Sequence, residues 1–271
     1  MTIRFRNRMT LAFFIISVSS LILGTFLTLF KYFSNTLVLP EVYTKGLSDN
    51  FLLRYSPVCV FIGLFIILAY ICVTTMIIYH SFEKTQAPDI VFFLIFLVAC
   101  LCDSSRLLVP IFNISGTFSH FLLKVGNIHL FARLLAPLAL MGNTILSTEE
   151  FRQNTDRNSI ILIIISMFFA EIIPLNTAVI LPNYGISYGY VKAIQGFSLL
   201  ICIVSTIALF NNNRKNEYKQ IMTVGFILLC IGFTLIFYCF NILSLAAGTI
   251  FLGTGTYLYL NEVHKHYLWI D

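Results

Sequence analysis

The sequence predicts an all-α fold, a polytopic transmembrane helical bundle of about eight spans, and three observations predict it. Charged residues are 11% of the chain and hydrophobic ones 58%, whereas soluble domains carry roughly 25% charged residues. The apolar residues gather into eight stretches, each close to the roughly 20 residues that a helix needs to cross the hydrocarbon layer. The cations segregate to alternate connectors, as the positive-inside rule requires of a multi-pass chain.

The first span, near residues 10–32, follows Arg4, Arg6 and Arg8. A cationic start also opens signal peptides, but this run exceeds the roughly 7–15 apolar residues of a cleaved signal, so an uncleaved anchor is expected. Cleavage would leave seven spans. Residues 33–55, with Pro40, Glu41, Tyr43, Lys45, Gly46 and Asp49, form the longest outer connector. The second, third and fourth spans lie near 56–79, 89–112 and 119–147, and a fifth near 159–180, with polar inner connectors at 80–88 and 148–158. The uncharged stretch from Leu175 to Tyr190 holds Pro182, Asn183, Tyr184, Gly185 and Tyr188. It reads as a re-entrant lid or, by preference, a plain loop with tyrosines at headgroup level. The sixth, seventh and eighth spans lie near 188–210, 220–240 and 243–261. Only the region of Asn241 separates the last two, so a tight hairpin or one interrupted segment is expected there. Ala246, Gly248, Gly253 and Gly255 in the eighth mark close helix packing. Nothing divides the chain, which is one domain, 1–271.

With the amino terminus inside, the inner side collects Arg4, Arg6, Arg8, Lys84, Arg152, Arg157, Arg214, Lys215, Lys219 and Lys265. The outer side receives Lys31, Lys45, Arg54 and Lys124. A multi-pass protein of the cell membrane, a bacterial inner membrane, follows, with both termini cytoplasmic for eight spans. The net charge of +5 is spread over connectors, so no nucleic-acid surface is indicated. All seven cysteines lie in spans and read as small packing residues. Cys100 and Cys102 diverge by roughly 200° on a helix and cannot share a metal. His264 and His266 diverge likewise. Glu149-Glu150 sits in a connector without matching embedded histidines, which excludes an intramembrane CAAX-type protease. Asn113-Ile-Ser115 fits the glycosylation pattern. No catalytic residue, cofactor or metal site is indicated.

The informative residues are charges inside spans: Asp103 and Arg106 in the third, Arg133 in the fourth, Glu171 in the fifth, and Lys192 at the start of the sixth. Ionised groups are costly in hydrocarbon, so they face the bundle interior, pair, or line a wet cavity. Asp103, Arg133 and Glu171 each lie on the order of 15 Å from the outer boundary, at 1.5 Å per residue. Asp103 and Arg106 share a helix face, as do His129 and Arg133. Glu171 is the expected partner of Arg133. One cation then remains over, and a bound anion would balance it. Arg106-Leu-Leu-Val-Pro110 is echoed by Arg133-Leu-Leu-Ala-Pro137. A helical proline frees the carbonyl four residues before it, here that of each arginine, and Pro174 frees that of Ala170. Asp103, Arg106, His129, Arg133, Glu171 and Lys192 are thus the candidate ligand-binding residues, with Pro110, Pro137 and Pro174 as helix kinks. The competing reading is ion pairs that fix helix packing and bind nothing.

The span pattern resembles the seven-helix receptor-like membrane modules of bacterial sensor proteins. Phe92-Phe93-Leu-Ile-Phe96 followed by Asp103-Ser-Ser-Arg106 is similar to multi-pass proteins of bacteria such as spirochaetes. The sensor resemblance implies a small-ligand pocket read out through helix movement. Neither the outer ligand domain nor the cytoplasmic kinase or cyclase of those sensors is expected here, so a signalling partner protein would carry the response. The sequence expectation is therefore a receptor-like module in the lipid bilayer, taking a small anionic or lipid ligand in the outer half. A secondary transporter or transporter subunit, with Glu171 or Asp103 coupling protons, is the alternative. A lipid-modifying enzyme using Glu171, Asp103 or His129 as acid or base comes third.

Overall fold

The computed structural model describes residues 3–37, 53–85, 87–112, 120–146, 154–213 and 217–268. The readings made on Lys45, Asn113-Ile-Ser115, Glu149-Glu150, Arg152, Arg214 and Lys215 lie outside the described residues. Eight helices make up most of what is described: α1 Ile3–Phe33, α2 Pro57–Ser81, α3 Pro88–Phe112, α4 His120–Met141, α5 Thr155–Ile172, α6 Val191–Asn213, α7 Glu217–Phe237 and α8 Ile242–Leu268. The fold is all-α, and every helix except α5 is long and apolar enough to cross a membrane. Two short strands, β1 Leu175–Ile180 and β2 Ile186–Tyr188, form an antiparallel hairpin between α5 and α6.

This hairpin corrects the expected span boundaries. The fifth stretch was expected to run to residue 180, but α5 ends at Ile172. Pro174 forces Ile173 into extended backbone (φ −70°, ψ 124°), and the following Leu-Asn-Thr-Ala-Val-Ile, with its branched Thr, Val and Ile, pairs as a strand. The sixth helix correspondingly begins at Val191, after β2. The preferred plain loop at 175–190 is also corrected: Asn183, Tyr184, Gly185, Ile186 and Tyr188 are buried, so the turn folds back into the bundle.

Helix ends are set by local chemistry. Ser56 caps α2, its hydroxyl accepting from the Cys59 N–H, and Pro57 takes the first helical position where no donor is required. At the other end of α2 the Arg6 guanidinium, buried at the start of α1, donates to the Phe82 and Thr85 carbonyls, the latter at 2.6 Å. The Phe82 carbonyl otherwise accepts only the long 3.4 Å bonds from Thr85, so the guanidinium supplies the strong donor just past the C-terminus of α2. Along α1 only Arg6, Thr10, Ser17 and Gly24 are buried. Three of them recur every seven residues, so α1 meets α2 and α3 along one narrow stripe and leaves its other faces apolar and exposed.

The tightest packing joins α7 to α8, which are linked through Tyr238–Asn241. Asn241 caps α8, its Oδ1 accepting from Ser244 N at 2.7 Å. A Cβ on Gly232 would stand 2.2 Å from the Leu252 nitrogen, and one on Gly255 2.4 Å from the Leu229 nitrogen. Only glycine permits backbones this close. Of the small residues singled out in α8, Gly248 and Gly255 face α7, whereas a Cβ on Gly253 would meet nothing within 4 Å.

Rings from α3, α7 and α8 fill the centre of the bundle. Tyr259 stacks on Phe93, with centroids 6.0 Å apart, Phe93 meets Phe96 at 5.6 Å, Phe96 meets Phe233 at 5.4 Å, and Phe233 meets Phe237 at 4.1 Å. The column runs from the amino-terminal end of the bundle, where Tyr267 donates to Asp89 at 2.9 Å, toward the hairpin end.

Candidate functional site at the hairpin end

At the top of this column α3 and α4 bring four of the six candidate side chains together. Asp103 closes the regular part of α3, and a 3-10 turn, Ser104–Leu107, follows it and carries Arg106. Pro110 explains the tighter turn, because its nitrogen cannot donate to the Arg106 carbonyl. His129 and Arg133 project from one face of α4, and Pro137 lies inside that helix one turn further on. Asp103, Arg106, His129 and Arg133 are 0, 2, 1 and 3% exposed.

Asp103 is the hub. One carboxylate oxygen accepts from Arg106 Nη2. The other accepts from His129 Nδ1 at 3.0 Å and lies 3.5 Å from Arg133 Nε. Arg133 is therefore paired with Asp103 and not, as expected, with Glu171. Glu171 is exposed and accepts from Asn127 at 3.2 Å. Lys192 is also exposed and outside the cluster. Pro174 stands beyond the end of α5, so it kinks no helix; its carbonyl accepts from Gly189 N at 2.8 Å, closing the hairpin.

Two arginines face one carboxylate, and three backbone carbonyls meet the excess charge, the first being that of Asp103, which accepts from Arg106 Nε at 3.1 Å. Phe237, in the last turn of α7, accepts from Arg133 Nη2 at 2.5 Å, from Asn183 Nδ2 at 3.1 Å and from Arg106 Nη1 at 3.5 Å. Its oxygen has no helical partner and belongs to the negative pole of the helix dipole. The Asn183 carbonyl, at the hairpin tip, accepts from Arg106 Nη1 at 2.8 Å. The Arg133 guanidinium also lies 4.2 Å from the Tyr238 ring centre and 5.0 Å from that of Phe237, within cation–π range.

The balance is incomplete at three nitrogens. Arg133 Nη1 and His129 Nε2 are buried without a hydrogen bond, and so is Arg133 Nε, which keeps only its 3.5 Å ion pair with Asp103. With Nδ1–H donated to the Asp103 carboxylate, the neutral imidazole presents Nε2 as an unused acceptor. Gly185 covers that nitrogen: a Cβ there would sit 2.6 Å from it, so the tip can lie on His129 only without a side chain.

The hairpin is held from the side by α2. Tyr184 donates to the Pro57 carbonyl at 2.7 Å, and Tyr55 donates to that of Pro182 at 3.2 Å. Burial pushes the Tyr184 phenol well above its ordinary range, which keeps it a donor. Tyr184 also has a φ of 60°, a left-handed conformation uncommon for a tyrosine.

Sequence reasoning missed Phe237, Tyr238, Asn183 and Gly185. The first and third contribute main-chain oxygens, which no residue type announces. Pro182-Asn-Tyr-Gly185 did carry a turn signature, the one available signal that this stretch makes a defined tip.

Among the described residues no three His, Cys, Asp or Glu side chains converge to hold a metal. No protein-family model matches the chain, no curated protein matches its sequence significantly, and no solved structure matches it significantly.

Proposed function

We propose that this chain is an eight-span membrane protein with both termini on the cytoplasmic side of a cell membrane, acting as a receptor-like module for a small anionic or lipid ligand. The bound ligand sits at Asp103, Arg106, His129 and Arg133, in the outer half of the bilayer, and a partner protein carries the response. One observation bears most of this reading: a buried cluster with two cations to one anion leaves Arg133 Nη1 without an acceptor. Buried donors are normally satisfied, and intramembrane charges mark functional sites by default. Eight spans rather than seven are favoured because α5 connects the end of α4 to the hairpin, which keeps α6 to α8 in the alternation that the cation distribution requires.

The aromatic column favours a receptor over a conduit, since it fills the centre of the bundle between the cluster and the opposite end. A secondary transporter is the second reading, favoured by the 3-10 turn at Arg106 and by Pro137, both of which provide places for helices to bend. The lipid-modifying enzyme stays the third reading: Asp103 and His129 do form a carboxylate–imidazole pair at 3.0 Å, but Glu171 stands outside the cluster.

The test is thermal stability of the purified protein across a panel of anionic metabolites and lipids, with Arg133→Gln alongside. Stabilisation by one ligand class that disappears in folded Arg133→Gln supports the site; no stabilisation by any anion overturns it. Flux of a stabilising ligand into sealed vesicles would move the assignment to transporter. Accessibility of cysteines placed at Glu83 and Tyr190, labelled from opposite faces of the membrane, tests the topology.

A further inference from the structure

The hairpin tip supplies to the cluster what a ligand would supply. Asn183 places an oxygen on Arg106 Nη1 at 2.8 Å, and Gly185 lies against His129 Nε2. These contacts leave one guanidinium satisfied by a neutral carbonyl and one imidazole nitrogen with no donor at all. A carbonyl carries no net charge, so it meets an excess cation less well than an oxyanion does. The tip's hydrogen bonds to the rest of the bundle are those of the Tyr184 and Tyr55 hydroxyls with the Pro57 and Pro182 carbonyls, of Arg106 with the Asn183 carbonyl and of the Asn183 amide with Phe237. The Tyr184 ring is also buried in the core, so the tip can leave only by drawing that ring out.

We propose, resting on the receptor reading above, that the Pro182–Gly185 tip is a displaceable stand-in whose place is taken by a hydroxyl-bearing monovalent oxyanion such as a small hydroxycarboxylate. The oxyanion takes the position of the Asn183 carbonyl on Arg106 and reaches the free Nη1 of Arg133. The hydroxyl donates to His129 Nε2, which Gly185 uncovers as it leaves. One negative charge neutralises the excess cation of the cluster. A dianion would instead leave a net negative charge buried, and binding it would require His129 to take up a proton. Because the tip and the ligand compete, loosening the tip raises apparent affinity by increasing the fraction of molecules with an open site.

The test uses the full chain in nanodiscs, with glycolate, acetate and sulfate as probes, read by calorimetry and by hydrogen exchange over residues 181–190. Wild type should bind glycolate better than acetate and both better than sulfate at neutral pH, with faster amide exchange at Tyr184 and Gly185 on binding. Tyr184→Phe and Tyr55→Phe each remove one tie to the tip and should bind glycolate tighter by about five-fold, the worth of one net hydrogen bond. Arg133→Gln should abolish binding. If Arg133→Gln abolishes binding but both tyrosine variants weaken it, the hairpin is a wall of the site: the stand-in inference is overturned and the receptor reading survives. Sulfate preferred over glycolate at neutral pH overturns the ligand class. No binding in wild type or in either tyrosine variant overturns both.

Discussion

Asp103→Asn keeps the shape of the side chain and removes its charge, which makes it the sharpest probe of the cluster. In the native arrangement this one carboxylate meets Arg106 Nη2, His129 Nδ1 at 3.0 Å and Arg133 Nε at 3.5 Å. The asparagine amide retains one acceptor oxygen and turns a donor toward groups that are themselves donors. Two guanidiniums, 2 and 3% exposed, then lack any counter-charge. The Phe237 carbonyl cannot take up the difference, because it already accepts from both arginines and from Asn183. Removing one partner of a buried ion pair costs about 3–5 kcal/mol, and that is the expected loss. Equilibrium unfolding in mixed micelles with increasing SDS measures it. Asp103→Asn combined with Arg106→Gln lowers the number of stranded cations to one, so the double variant should recover part of the loss instead of adding to it. An Asp103→Asn protein within about 0.5 kcal/mol of wild type, the scatter of surface substitutions, would refute the electrostatic account. So would strictly additive losses in the double variant.

Three further outcomes are expected. Gly232→Ala must push α7 and α8 apart, since the new methyl meets the Leu252 backbone at 2.2 Å; a loss of at least about 1–3 kcal/mol is expected, while Gly253→Ala, facing open space, should be neutral in the same unfolding titration. Arg6→Gln strips charged hydrogen bonds from the Phe82 and Thr85 carbonyls and should cost about 1.5–3 kcal/mol, with faster proteolysis between α2 and α3 as a local readout. Glu171→Gln and Lys192→Gln, both exposed and outside the cluster, should leave anion-dependent stabilisation unchanged in the thermal assay.

The helical class was legible because apolar runs and cation placement are written in residue types. The pairing of Asp103 with Arg106 and the shared face of His129 and Arg133 were legible for a related reason: three- and four-residue spacing fixes a common helix face. Which helix faces meet is a property of the assembled bundle, so the choice between Asp103 and Glu171 as partner of Arg133 was not. The end of α5 was legible in principle from Pro174 and the branched residues after it, yet high hydropathy carried the expected span through to residue 180. The acceptors that complete the site come from Phe237 and Asn183 through their main chain. Any side chain there could offer the same oxygen, and only the end of α7 and the turn of the hairpin place it.

The origin of the Phe237 oxygen sets an order of events during synthesis. Arg133 and its acceptor are separated by 104 residues. At the usual 5–20 residues per second of translation, roughly 5–20 s pass between the making of the arginine and the making of the carbonyl that receives it. α8 is made only after that carbonyl; joined to α7 by a short turn, it then locks on backbone to backbone, a contact of low closure entropy. In that interval the guanidinium on α4 must be kept by Asp103, by water or by the insertion machinery. The last two helices thus act as a latch, and a nascent chain halted before residue 237 would hold its charges without the group that seats them.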